Sequence, residues 1–138
     1  MKKLAILVVA ATMMAACGGG SRSGSRGGDN PGQLAYDYVT ALYKNDFNTM
    51  KRLASKTVLL DFEANGMPKY PDQFKNDLEE VQKPYTIRNY DSNRQVTTVD
   101  VWHRTYAKAM IDVIVIMEDG KWFVDGVRYG YAGQQWPE

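Results

Sequence analysis

Two residue types that could carry out chemistry occur only once in this sequence, as His103 and Cys17. A histidine titrates near neutral pH and can act as a general acid or base. Zinc binding is disfavoured, because a structural zinc needs four ligands and the chain offers one histidine, one cysteine and no cluster of carboxylates. The sequence also has no glycine-rich phosphate loop, nucleophile-elbow motif or Cys-x-x-Cys pair. We therefore expect no cofactor and no metal.

Residues 1–17 have the pattern of a secretory signal that ends in a lipidation site. Two lysines precede a short apolar run, and Ala15-Ala16 come directly before Cys17. The run is too short to remain as a membrane-spanning helix. This ending resembles the lipobox of bacterial lipoproteins, in which the cysteine is acylated and becomes the first residue; Met14 stands where leucine is usual. The alternative is ordinary secretion that leaves an incidental free thiol.

The chain after Cys17 is predicted to be a flexible tether over residues 18–29, which are rich in glycine and serine. Arg22 and Arg26 would lie in solvent or touch anionic lipid headgroups. The acyl anchor would place the protein at a membrane of a bacterial cell envelope, with its domain outside the cytoplasm. The full chain has 17 basic and 16 acidic residues, so loss of the two signal lysines leaves a net charge of −1. A near-neutral domain argues against a nucleic-acid partner.

The first half of the domain, predicted over residues 30–130, has the spacing of helices. Asn30 and Pro31 favour a helix start, and the periodicity continues to about residue 45. Asp46 is predicted to cap a second helix. Residues 57–62 could extend that helix or form a short strand. Pro71 is predicted to begin a third helix that ends before Pro84; its apolar side would carry Phe74, Leu78 and Val81.

The second half alternates as strands do, over residues 85–91, 95–105 and a hairpin over 109–128. Asp119-Gly120 is the preferred pair for a two-residue turn with positive φ at both positions. This turn sets Met117 opposite Trp122 and Ile116 opposite Phe123. The face that carries Met117 and Trp122 has no charge and is predicted to be the core face. Residues 131–138 are predicted to be a loose tail.

Helices followed by antiparallel strands predict an α+β domain, with three N-terminal helices on a curved four-stranded antiparallel sheet. The element order, the segment from Tyr38 to Phe47 and the closing Asp119-Gly120-Lys121-Trp122 resemble small bacterial lipoproteins of the nuclear transport factor 2-like superfamily. The resemblance covers residues 31 to about 128. It implies a cone-shaped fold that also occurs in ketosteroid isomerase and scytalone dehydratase, and in many non-catalytic binding domains.

The cone implied by this resemblance would hold a pocket on the core side of the sheet. The predicted pocket residues are His103, Val99, Val101 and Tyr38. His103 would be either an acid–base group or a neutral, hydrogen-bonded histidine at the rim of the sheet. Isomerase sites of this kind pair an aspartate base with a tyrosine donor; the candidates are Asp61, Asp100, Asp112, Tyr36, Tyr38 and Tyr43.

Asp100 and Asp112 fall on the strand face opposite His103, so the sequence assembles no acid–base pair and we assign no catalytic residue. We expect a non-catalytic, membrane-anchored lipoprotein whose domain binds a small hydrophobic ligand or a protein partner. The alternative is a pocket enzyme of isomerase or dehydratase type that uses His103 with Asp61 or a tyrosine.

The outer face of the predicted sheet carries an apolar patch formed by Trp102, Ile114, Ile116 and Phe123. A patch of this size on a small domain usually contacts something. The patch would form a homodimer interface or bind another protein, or it would be ordinary sheet surface.

Overall fold

The computed structural model describes residues 25–69 and 71–131. The predicted signal, Cys17, most of the predicted tether and the tail from residue 132 lie outside the described residues. Within the described ranges the helices are Pro31–Lys44 (α1), Phe47–Leu53 (α2), Lys56–Asn65 (α3) and Asp72–Asn76 (α4). The strands are Leu78–Val81 (β1), Tyr85–Asp91 (β2), Arg94–His103 (β3), Ala109–Glu118 (β4) and Lys121–Tyr131 (β5).

The α+β class is confirmed, with helices preceding an antiparallel sheet. The predicted number of elements is wrong, since the described residues already form four helices and five strands in place of the three and four expected. The sheet is open, with β3, β4 and β5 as consecutive neighbours and both β1 and β2 on the free edge of β3.

Local capping explains why the helices begin where the sequence predicted. Asn30 Oδ1 accepts the Gln33 N–H at 3.0 Å, and Pro31 occupies the first turn of α1. Asn45 ends that helix in the left-handed conformation, and Asp46 then caps α2. Ser55 caps α3, so residues 57–62 are helical, but they belong to a separate helix and do not extend α2.

The third predicted helix is the main correction. It ends at Asn76, and Leu78–Val81 form strand β1, in which Leu78 pairs with His103 and Val81 with Val101. Strand β2 pairs with β3 only over Arg94–Thr98. The second half of β3, after Thr98, would therefore lack a partner on this edge if Leu78–Val81 had been helical.

The β4–β5 hairpin confirms the predicted turn and register. Asp119 and Gly120 both have positive φ, and Met117 pairs with Trp122. The register shifts between Ile114 and Val115, and Asp125 is the extra residue of this bulge. Between the turn and the bulge, the even-numbered Trp122 faces the core. Because the bulge adds one residue, the odd-numbered Val127 faces the core beyond it.

The core lies between α1 and one face of the sheet. Leu34, Tyr38 and Leu42 recur on one side of α1 and are buried. They pack against the sheet residues Val99, Val101, Ile111, Val113, Val115 and Val124. The predicted core face, with Val113, Val115, Trp122 and Val124, is thus confirmed.

The structured part of the chain begins ahead of the predicted boundary at residue 30. Gly28 and Trp122 exchange backbone hydrogen bonds of 3.0 and 2.8 Å. Arg26 donates to the Ala54 carbonyl at 2.6 Å, and its guanidinium lies 5.2 Å from the centroid of the Phe123 ring. Gly27 has φ +74°, and a Cβ there would lie 2.7 Å from the Trp122 carbonyl oxygen. We call residues 26–28 the strap.

Candidate functional site

A cleft of about 290 Å³ opens at the end of the sheet where β3 finishes and β4 begins. It is built from the segment before α4, from α4 itself, from the β3–β4 loop and from the last part of β5. The described residues that line it are Lys69, Pro71, Phe74, His103, Tyr106, Ala107, Ala109, Tyr129 and Gly130.

His103 is the last residue of β3 and is only 9% exposed. Its Nδ1 lies 3.2 Å from the Ala107 carbonyl oxygen, and its Nε2 lies 3.0 Å from the Tyr43 hydroxyl. A carbonyl can only accept, so we assign the proton to Nδ1. In the neutral ring Nε2 is then the acceptor for the Tyr43 hydroxyl. Both ring nitrogens are therefore within hydrogen-bonding distance of protein atoms.

The walls of the cleft beside His103 are aromatic. The Phe74 ring centroid lies 6.1 Å from that of His103 in an edge-on arrangement and 5.0 Å from that of Tyr106. The Tyr106 ring lies nearly perpendicular to the imidazole. Offset and edge-on contacts of this kind favour a fixed set of ring positions. These rings therefore give the cleft an apolar wall beside His103.

Asp77, between α4 and β1, holds the β3–β4 loop in place. Its carboxylate accepts hydrogen bonds from the Thr105 N–H, the Thr105 hydroxyl and the Tyr106 N–H, all at 2.9–3.2 Å. Desolvation raises the pKa of Asp77, but the bonds from Tyr106 and Thr105 outweigh it and hold the pKa below its ordinary value. The position of Tyr106 at the cleft wall thus depends on an ionised Asp77.

Of the predicted pocket residues, the described lining of the cleft contains His103. Val99 and Val101 are fully buried in the core beneath α1. Tyr38 is also buried, and this burial, with a smaller electrostatic effect of Tyr129, raises the pKa of its phenol well above the usual range. Tyr38 therefore stays protonated and acts as a core residue.

The candidate carboxylates lie away from the cleft. Asp61 is exposed on α3 and accepts a hydrogen bond from Asn65. Asp100 and Asp112 project from the opposite face of the sheet, as their register with respect to His103 requires. Among the candidate tyrosines, Tyr43 is the one that meets His103.

The outer sheet face is less continuous than the sequence predicted. Trp102 is 48% exposed, whereas Ile114 and Ile116 are half-buried and Phe123 is 8% exposed beneath the strap. Charged side chains interrupt the patch: Asp112 accepts from Thr98 and Arg128, and Asp100 pairs with Lys108. The exposed aromatic surface of the predicted patch is therefore mainly Trp102.

Sequence reasoning missed most of the cleft walls. Phe74 was placed on the apolar side of a longer helix, while Tyr106, Ala107 and Tyr129 were not assigned to a site. One signal was present: the loop that follows His103 must begin beside it, so Tyr106 and Ala107 had to be near the histidine. Lys69 and Tyr129 come from segments whose approach depends on the tertiary fold.

No protein-family model, curated protein or solved structure matches this chain. Within residues 25–69 and 71–131, no group of three or more histidine, cysteine, aspartate or glutamate side chains is placed to hold a metal ion. No helix in the described ranges is both long enough and apolar enough to cross a membrane.

Proposed function

We propose that this protein is a lipid-anchored lipoprotein of the bacterial cell envelope whose domain binds a small apolar ligand without transforming it. The observation that carries the binding role is the cleft of about 290 Å³ with aromatic walls at the end of the sheet. Pockets for small molecules are concave and mostly apolar, with few polar groups. At His103 both nitrogens already bond to protein atoms, which favours a structural role for this histidine.

The anchor is supported by the signal pattern that ends at Cys17. The strap begins at Arg26, nine residues later, and a chain of that length spans at most roughly 30 Å. An acylated Cys17 would therefore keep the domain close to the membrane surface while leaving it free to rotate.

A nuclear transport factor 2-like architecture is the finer fold we propose. It is supported by the order of helices before strands and by the packing of α1 on one face of an antiparallel sheet. In such an architecture a cleft between the helices and the sheet would be the natural place for a ligand.

The test of binding uses the chain from Gly18 onward, which contains every described residue but no acyl group. N-phenyl-1-naphthylamine is a neutral probe whose fluorescence rises in apolar surroundings. We expect saturable binding by the parent chain and its loss in Ala107→Trp, because an indole at this exposed wall position would fill the cleft. The Ala107 carbonyl that accepts from His103 is unchanged by this substitution.

Leu60→Trp is the matched control, because Leu60 is 66% exposed on α3 and does not belong to the described lining of the cleft. This variant should bind the probe as the parent does. Unchanged probe affinity in Ala107→Trp would place the binding site elsewhere and contradict the proposed role of the cleft.

A pocket enzyme of isomerase or dehydratase type is the second candidate function, favoured by one contact. The Tyr43 hydroxyl and His103 Nε2 are 3.0 Å apart at the edge of the cleft, which resembles a general base with its hydrogen-bonded partner. Catalysis would require a substrate to replace Tyr43 at Nε2. Turnover of an enolisable ketone or a β-hydroxy ketone that is lost in His103→Gln, with probe binding retained, would establish this alternative.

A further inference from the structure

The cleft carries a single formal charge among its described lining residues, the ammonium group of Lys69. Several other cations of the domain are paired, for example Lys108 with Asp100 and Arg128 with Asp112. No described carboxylate lies within ion-pair distance of Lys69. The cleft therefore combines apolar walls with an ammonium group that pairs with no carboxylate of the described residues.

The carboxylate of Asp77 meets the cleft wall at Tyr106, where it binds the loop from behind. Its oxygens accept hydrogen bonds from Thr105 and Tyr106 and are directed at the backbone of that loop. Asp77 therefore serves the loop and is not directed at Lys69. His103 contributes ring nitrogens that are bonded to protein atoms, and Tyr106 and Tyr129 contribute hydroxyl groups, so none of these three residues supplies a carboxylate.

The size of the cleft limits the ligand. At about 290 Å³ it lies near the lower end of small-molecule pockets. One or two fused rings, or a short acyl chain, would fit against Phe74 and Tyr106.

We propose that the cleft takes a small aromatic or apolar carboxylic acid, with its apolar body against Phe74 and Tyr106 and its carboxylate directed to Lys69. This inference rests on the proposed function and adds the charge of the ligand to it. A cationic ligand would be repelled by Lys69. A neutral ligand of the same shape would bind to the apolar walls but would form no ion pair with Lys69.

Lys69 is exposed, so solvent screens the ion pair. Exposed pairs of this kind strengthen association by roughly two- to fivefold. The expected preference for an anion is therefore modest and must be measured against a neutral ligand of matched shape.

The test compares 2-naphthoate with 2-naphthamide by isothermal titration calorimetry at low ionic strength. The protein is the chain from Gly18 onward, which retains all hydrogen bonds and core contacts of residues 26–131. We expect the parent to bind the carboxylate roughly two- to fivefold more tightly than the amide. Lys69→Gln should remove this difference by weakening only the carboxylate. Lys69→Glu should reverse it.

Lys51→Gln is the control, since Lys51 is also exposed but lies on α2 and does not belong to the described lining of the cleft. It should keep the parent's preference. Equal affinities for the two probes in the parent, or an unchanged preference in Lys69→Gln, would overturn the assignment of a carboxylate ligand while binding of the amide still supported an apolar cleft. Binding of neither naphthalene probe nor N-phenyl-1-naphthylamine would overturn both proposals.

Discussion

At the scale of single residues, His103 shows how hydrogen bonding limits what a side chain can do. Its Nδ1 meets the Ala107 carbonyl and its Nε2 meets the Tyr43 hydroxyl, while the ring is almost completely buried. Leaving a buried polar atom unbonded costs about 1–3 kcal/mol. The bond to Tyr43 joins β3 to α1, and the bond to Ala107 holds the β3–β4 loop against the end of β3; both favour a structural role for the histidine.

Trp122→Ala should be severely destabilising. Trp122 is 8% exposed in the core cluster, and truncation of a buried tryptophan costs about 3–5 kcal/mol. That is a large part of the stability of a domain of this size. Urea unfolding followed by circular dichroism measures the loss.

Trp102→Ala is the matched control for Trp122→Ala, because Trp102 is 48% exposed on the other sheet face. Its unfolding free energy should fall by about 1 kcal/mol or less. Similar losses in the two variants would mean that the core face has been assigned incorrectly.

Because the phenol of Tyr38 is buried, we expect the folded domain to lose stability at alkaline pH. Burial raises the pKa of its phenol above the ordinary value of 10.0, so the folded state keeps the proton that the unfolded chain releases. The contribution of Tyr38 to stability is complete below pH 10 and declines as the pH rises above that value. Tyr38→Phe should flatten this decline in urea titrations between pH 9 and 11, and an unchanged slope would contradict the buried, protonated assignment.

At the scale of elements, the short segment from α4 to β1 determines both the sheet edge and the cleft. Leu78–Val81 cover the half of β3 that β2 does not reach. Asp77, just before this strand, binds the loop that follows β3. The short segment from Asp77 to Val81 thus pairs with the edge of the sheet and also positions Tyr106.

Asp77→Ala should weaken probe binding in the cleft, because Thr105 and Tyr106 lose the carboxylate that fixes them. Glu79→Ala, at a nearby exposed position of β1, should leave probe binding unchanged. The pKa of Asp77 is held below 3.8, so its stabilising effect is complete above that pH and is lost as the pH falls through the lowered pKa. Fluorescence titrations of N-phenyl-1-naphthylamine at neutral pH would detect the effect; equal affinities in both variants would contradict the role of Asp77.

At the scale of the whole molecule, the strap and the cleft lie at opposite ends of β5. The strap pairs with Trp122 near the hairpin turn, and the cleft is lined by Tyr129. Seven residues of strand correspond to roughly 20 Å. If Cys17 anchors the chain and the cleft binds the proposed ligand, the membrane attachment and the ligand lie at opposite ends of the domain.

Cys17→Ser should abolish acylation and leave either soluble protein or uncleaved precursor. The reason is that Cys17 is the only cysteine of the sequence, so the serine variant has no thiol to receive the lipid, and stable anchoring requires buried acyl chains. Detergent partitioning and mass spectrometry of the expressed full chain measure this. Retention in the membrane with processing at the same site would contradict the lipoprotein assignment.

Self-association through the outer sheet face is tested at Trp102, its most exposed apolar residue from the predicted patch. If this face pairs two copies of the chain, the chain from Gly18 onward sediments as a dimer at high concentration. Trp102→Lys should sediment as a monomer with an unchanged circular dichroism spectrum, because a two-fold contact would place each lysine unpaired at the interface. Leu60→Lys should behave as the parent, and a parent that remains monomeric would rule out this dimer.

The sequence alone was sufficient to predict those features that depend on interactions between residues close together in the chain. Asp119-Gly120 satisfied the turn's demand for positive φ and thereby fixed the pairing of Met117 with Trp122. Asn30 and Asp46 capped their helices through side-chain acceptors only three residues from their donors. These interactions involve neighbours along the chain, so their energies do not depend on the rest of the fold.

Only the tertiary structure decided where the third helix ends and which side chains meet at the cleft. Phe74, Leu78 and Val81 are compatible with a helix, but Asp77 finds its partners 28 and 29 residues away in the β3–β4 loop. The Tyr43–His103 bond spans 60 residues. Such contacts form because the sheet brings distant segments together, and no periodicity within a short window of sequence contains that information.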